Sequence, residues 1–386
     1  MNNWKNTFAD FLAKAIIVNL YLFAFGLFTS KALTSISGGL VCIFGLLRFL
    51  LLKENPLRNI DKKLNLPIFF FLSALFLSIA GRFTFKTWSE VESYLLIIIF
   101  FYVVVANLHH LKLVRNLSLI SLVSMGLAAG NGLFHFIRIK GFASYLDFGC
   151  LLAILIAFTL IYSIWGNLKP GYRIAALGSS VVLGVCLILT QTRGAWLALL
   201  GGLFCLSWIR SKKLLVFLVL ICLVLTLILP QVYRDRFLSS FDIKRDPSNL
   251  GRLALWKGAL LMYRDHLIRG VGLSRFQEEY ETKYFQPNTD VTENPHSNLF
   301  KFIAETGTVG IVAFIWLMAQ LMIWLYRNYK SVADPNWRLF LLGSLCGIII
   351  FNIYGLTYIN FGDADTLRFF WFLTALNVGV TNLADS

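Results

Sequence analysis

Charge is scarce along this chain: 14% of its 386 residues are Asp, Glu, Lys or Arg, where soluble domains carry about 25%. That shortage excludes an ordinary water-soluble domain. Acids are scarcer than bases, 20 against 35, so the formal net charge is +15. Cysteine is sparse too, and Cys42, Cys150, Cys186, Cys205, Cys222 and Cys346 all fall inside apolar runs or at their edges. A disulfide framework and a thiolate metal site are disfavoured, and the six read as small core residues. There is no internal repeat of fixed period and no low-complexity tract. The first apolar run lacks a small-residue cleavage pattern behind a short hydrophobic core, so it is expected to stay as a span rather than be removed.

What is abundant is apolar: 58% of residues are hydrophobic and the mean hydropathy is +0.71. The fold class expected is an all-α polytopic membrane protein. Runs long enough to cross about 30 Å of hydrocarbon as helices recur, near residues 11–29, 33–52, 66–80, 90–107, 117–136, 148–165, 172–190, 194–210, 213–230, 308–326, 339–358 and 366–382. That is about twelve spans: nine within 1–230, a hydrophilic segment at 231–307, and three within 308–386. With both termini on one side, the segments there hold seventeen Lys and Arg, among them Lys62, Lys63, Lys212, Lys213 and Arg327. The short loops opposite hold seven: Lys31, Arg82, Lys86, Arg138, Lys140, Arg193 and Arg368. By the positive-inside rule the termini are cytoplasmic and the long segment is external, periplasmic in a Gram-negative cell. The basic balance then belongs mostly to the inner loops, helped by anionic head groups, and no nucleic-acid partner is expected. His109-His110 falls on the cytoplasmic side and reads as a solvated turn rather than a metal site.

The external segment is too patterned to be a linker. From Leu253 onward, Leu253, Trp256, Leu260, Tyr263 and Leu267 recur at helical spacing, which predicts an amphipathic helix lying on the membrane face. Arg252 opens that helix behind the cap-rich Asp246-Pro247-Ser248-Asn249-Leu250-Gly251. A guanidinium beside the free N–H groups of a first turn suits phosphate; a solvated surface arginine or a head-group contact is the alternative. Gly270-Val271-Gly272 reads as a tight reversal, without the strand–turn–helix context of a nucleotide fingerprint.

Asn294-Pro295-His296 reads as the start of the next helix, with Asn as N-cap, Pro first and His second. A helix N-terminus disfavours imidazolium, so His296 is expected neutral and able to act as a general base; the alternative is a histidine hydrogen-bonded at the interface. Glu305, four residues after Lys301, is expected to pair with it. Thr190-Gln191-Thr192-Arg193-Gly194 joins two spans in very few residues. Arg193 must lie near the interface, where a charge either snorkels or finds an anion. Arg82 and Lys86 lie in another short outer loop, and Asp363, Asp365 and Arg368 in the last, with Asp365 a candidate N-cap of the final span.

His296-Ser297, nine residues, then Gly307-Thr308-Val309-Gly310, together with a dozen spans and one long outer loop, resembles the O-antigen ligase family. The family's pattern is His, then Asn, Ser or Gln, nine residues, then Gly-x-x-Gly, matched here at every position. Thr192-Arg193-Gly194-Ala195-Trp196 is similar to its arginine-glycine motif and Gly251-Arg252 to its loop arginine. The resemblance covers residues 180–330. It implies a GT-C-like fold and inverting transfer of a preassembled glycan from undecaprenyl diphosphate to the outer core sugar of lipid A, without metal or other cofactor. By the resemblance His296 is the catalytic histidine and Arg193 and Arg252 are diphosphate ligands, while Asp365, or Asp363, is an acidic residue of the last outer loop; Arg82, from its outer-loop position alone, is a further candidate. O-antigen polymerases and protein O-oligosaccharyltransferases share the donor and are the enzymatic alternatives. A flippase is the alternative of another class, without the inverted repeats and broken mid-membrane helices common among transporters.

Overall fold

The computed structural model describes residues 3–384 apart from 54, 58–59, 81–82, 135–144, 214, 217–219, 221–223, 225–229, 241, 243–245 and 287–293. Apolar runs become helices where the sequence supplies a stop and a cap. Ser30 alone separates α1 (Asn3–Thr29) from α2 (Lys31–Leu52), its Oγ accepting from Leu33 N–H. Asp61 caps α3 (Lys62–Ile79). Thr84 and Thr87 form a reciprocal capping box at the start of α4 (Phe85–Asn107). There follow α5 (Leu111–Phe134), α6 (Tyr145–Trp165), α7 (Pro170–Leu189), α8 (Arg193–Arg210), α9 (Gln231–Leu238), α10 (Pro247–Asp265) and the short α11 (Phe276–Glu279), which runs into a π-turn at Tyr280–Tyr284. The chain closes with α12 (Asn298–Ser331), α13 (Pro335–Tyr354) and α14 (Ala364–Ala384).

Among the described residues there is no strand, and nine helices are long and apolar enough to cross a membrane: α1 to α7, α12 and α13. These account for nine of the twelve predicted runs. Helices α8 and α14 cover the runs at 194–210 and 366–382, while most of 213–230 lies outside the described residues. The protein is a multi-pass membrane protein.

Contacts sort the helix ends onto two faces. On one, Lys31 meets Asp365 at 2.7 Å, Arg193 meets Asp246 at 2.8 Å, Glu90 meets Lys301 at 2.9 Å and Tyr94 Oη donates to Phe361 O. On the other, Arg48 reaches Asn107 and Tyr162 reaches Asn336 O. The first face gathers the turns that the charge count assigns to the outside, together with α9 to α11.

Helix α12 breaks at Gly307, whose φ of 63° and ψ of −158° belong to a region open in practice only to glycine. Backbone groups freed there find partners in the loop after α10: Thr308 N–H donates to Leu267 O at 2.7 Å, Val271 N–H to Ala304 O at 2.9 Å and Gly272 N–H to Glu305 O at 3.0 Å. Gly270, at φ 67°, lies against Gly307 so closely that a Cβ on Gly307 would stand 2.6 Å from Gly270 N. The predicted reversal at Gly270-Val271-Gly272 is thus a backbone splice onto a broken helix. Below it, Phe302 packs on Phe71, Phe314 and Phe361, anchoring the first half of α12 in the aromatic core.

Candidate active site

The turn into α8 is made by Gln191 at φ 55°, a conformation uncommon for a residue with a side chain. It delivers Arg193 to the first face with only 7% of its side chain exposed. Such a charge needs an anion, and Asp246 supplies it: Nη1 to Oδ2 is 2.8 Å and Nη2 to Oδ1 is 3.2 Å, a two-point pair. Nη1 also donates to Ser239 Oγ at 2.7 Å, which ties α9 in. Asp246 is at the same time the N-cap of α10, accepting from Asn249 N–H. Partial burial opposes its charged form, but hydrogen bonds from Arg193 and the Asn249 backbone outweigh that and hold its carboxyl below the usual range.

The α10 helix therefore starts five residues before Arg252, not at it. That corrects the expectation that Arg252 sits beside free first-turn N–H groups; Pro247 and Asp246 occupy that end. Arg252 instead projects from the second turn, and among the described residues its guanidinium has no hydrogen bond and no ion pair. Burial, then the positive charges of Arg193 and Arg236, push its pKa down against the pull of Tyr354 and Asp246. A half-buried cation pressed by like charges is a place where an anion gains most. The predicted stripe is not the buried one: Leu253, Leu260 and Leu267 stay exposed and Trp256 and Tyr263 are half-buried, whereas Leu255, Ala259 and Met262, outside the stripe, pack inward.

One turn after Arg252, Trp256 grips the histidine segment. Its Nε1 donates to Pro295 O at 3.0 Å and its ring stacks on Phe300 with centroids 4.7 Å apart. His296 is held between these contacts at φ 49°, with its N–H on Asn294 Oδ1. The helix starts later than its sequence suggested: Ser297 is the N-cap of α12, and Asn294 forms a turn before it. His296 is thus outside the first turn, and its neutrality has another origin. Burial, then the charge of Arg252, push its pKa below the ordinary 6.5. Its ring makes no hydrogen bond among the described residues, and the neighbouring Ser297 Oγ is buried without one.

The next residue, Asn298, was not singled out in the sequence. Its N–H donates to Gly355 O, its Nδ2 to Asn360 Oδ1, and its Oδ1 accepts from Phe361 N–H. These bonds lock the turn after α13 against the histidine segment. Lys301 pairs with Glu305 as expected, and also with Glu90 of α4.

The acids of the last outer loop, spaced as Asp-x-Asp, are engaged elsewhere. Asp363, not Asp365, caps α14, its Oδ1 accepting from Asp365 and Thr366 N–H at 2.9 and 3.2 Å. Asp365 faces Lys31 at 2.7 Å and Arg368 at 3.6 Å. Arg82 lies outside the described residues. Among the described residues no group of three or more His, Cys, Asp or Glu is arranged to hold a metal ion.

Arg193, Arg252 and His296 are thus brought together by α8, α10 and the turn before α12 on one face of a multi-pass helical bundle. Residues 178–315, which span all three, match the family model described as Wzy_C, O-Antigen ligase. The chain is also 25% identical over 254 residues to the teichuronic acid biosynthesis protein TuaE of Bacillus subtilis (strain 168), covering 61% of this chain. It spans half the length of that relative.

Proposed function

We propose that the protein is an O-antigen ligase of the bacterial inner membrane, working on its periplasmic face with both termini in the cytoplasm. It transfers a preassembled glycan from undecaprenyl diphosphate to the outer core sugar of lipid A, with inversion and without a metal. The observation that carries this is the juxtaposition, inside the matched stretch, of a half-buried histidine of lowered pKa and an arginine unpartnered among the described residues. The sugar C1–O bond breaks more easily as charge on the departing diphosphate is stabilised, and Arg252 with Arg193 supplies that positive charge. His296 takes the proton from the acceptor hydroxyl as its oxygen attacks C1 from the opposite face. The spans hold the polyprenyl tail, and the exposed leucines of α10 rest on the bilayer.

A second reading is polymerisation of a lipid-linked polysaccharide, favoured by the relative whose name places it in teichuronic acid biosynthesis. Purified protein given undecaprenyl-diphosphate-linked O-antigen and lipid A-core, with chelator present, separates the two. Glycan on lipid A-core supports the ligase; a lengthened lipid-linked glycan with lipid A-core untouched overturns it in favour of a polymerase.

The lowered His296 pKa sets the pH dependence. A base must be unprotonated, so transfer fails as pH falls through its pKa, which lies below 6.5. Arg252→Gln removes one of the two causes of that depression. The acid limb of kcat/KM against pH should move upward in the variant; an unmoved limb would mean that another group titrates.

A further inference from the structure

In this structure one of the two proposed phosphate ligands is already occupied. Asp246 takes both Nη atoms of Arg193 in a pair whose side chains are 7% and 12% exposed. Arg252, six residues on, has no such partner among the described residues. The asymmetry matters at a membrane surface, where anionic phospholipids carrying a single net charge vastly outnumber any lipid-linked glycan. Two open arginines would be filled by those head groups.

We propose that Asp246 is a specificity-determining residue, resting on the donor reading above: through its pair with Arg193 it rejects anionic head groups with a single net charge and admits a diphosphate. A single phosphodiester offers Arg193 no more than the carboxylate it would have to displace, and it leaves that carboxylate half-buried without its ion-pair partner. A diphosphate carries charge on two phosphoryl groups, so it can meet the open Arg252 with one and take Arg193 from Asp246 with the other. Discrimination comes from a built-in competitor. Ser239 Oγ, donating to Arg236 O and accepting from Arg193, keeps the guanidinium in place during the exchange.

Charge and helix capping can be separated by substitution. Asn and Ser are both good N-caps, so Asp246→Asn and Asp246→Ser retain the start of α10 and remove the competing charge. The test is binding of a short-chain polyprenyl diphosphate to the full chain in phosphatidylcholine nanodiscs, with and without phosphatidylglycerol. The parent should lose less than about twofold in affinity on adding phosphatidylglycerol, and both variants about tenfold or more, the scale of one charge-assisted hydrogen bond. In pure phosphatidylcholine both variants should bind the diphosphate at least as tightly as the parent. If phosphatidylglycerol competes equally with parent and variants, Asp246 is not selective and the proposal falls. If both variants bind weakly in pure phosphatidylcholine, Asp246 is a structural post and the proposal falls likewise. A parent that binds no polyprenyl diphosphate in any bilayer overturns the donor reading and takes this inference with it.

Discussion

Glycan transfer by His296→Ala should fall by about 10²–10⁴-fold, the usual contribution of a positioned general base, with donor binding nearly unchanged. The split between binding and chemistry follows from geometry. The imidazole makes no hydrogen bond among the described residues, and its backbone is fixed in the left-handed region by Trp256 on Pro295 and by Asn294. Burial and the charge of Arg252 keep it deprotonated, so it offers a lone pair to a hydroxyl rather than a cation to a phosphate. Donor binding and transfer measured on the same preparation check this. A variant that loses both together would make His296 a donor ligand, and retained transfer would remove it from the chemistry. A flippase predicts a third pattern, lipid movement intact in the variant with no transfer by the parent.

Gly307→Ala should be among the most damaging small substitutions in the described chain. The φ of 63° with ψ of −158° is strained for any L side chain, and the added methyl would lie 2.6 Å from Gly270 N and from the carbonyl of Ile268. Neither neighbour is a movable side-chain tip; both are backbone. Strain of about 1–3 kcal/mol adds to the lost splice hydrogen bonds at about 1 kcal/mol each, enough to consume much of the stability of an ordinary domain. Gly39 in α2 is the control, since a Cβ there meets nothing within 4 Å and alanine should be neutral or gain up to about 1 kcal/mol. Thermal unfolding in detergent compares the pair. Equal midpoints would show that the break in α12 can be straightened.

Nine spans and the Lys301–Glu305 pair were legible because each is written locally, in apolar runs or i, i+4 spacing; the cap-rich run Asp246–Gly251 was visible too, but the start of α10 was read five residues late. What sequence could not supply was distant. Arg193 and Asp246 are 53 residues apart, and although the membrane-edge position of Arg193 calls for an anion, nothing local says which. The start of α12 was misplaced for a related reason. Asn294-Pro295 is a good opening by propensity, yet Trp256 holds Pro295 O and Gly355 O accepts Asn298 N–H, so tertiary contacts decide that the helix begins after Ser297. Asp363 displaced Asp365 as a cap because both backbone N–H groups at that end face it. Conversely, the spacing of His296 and Gly307 was legible and its purpose was not: the nine residues after Ser297 carry the chain as a helical segment to the break.

The splice at Gly307 also fixes an order of events during synthesis. Residues 267–272 have backbone groups whose partners lie at 304–308, so the loop that carries Arg252 leaves the ribosome before the strip of chain that completes it. It has to wait unfinished until α12 follows, and the charged face closes only once that helix is in place. A chain cut short before residue 304 would carry both arginines and the histidine and still lack the partners that complete the splice.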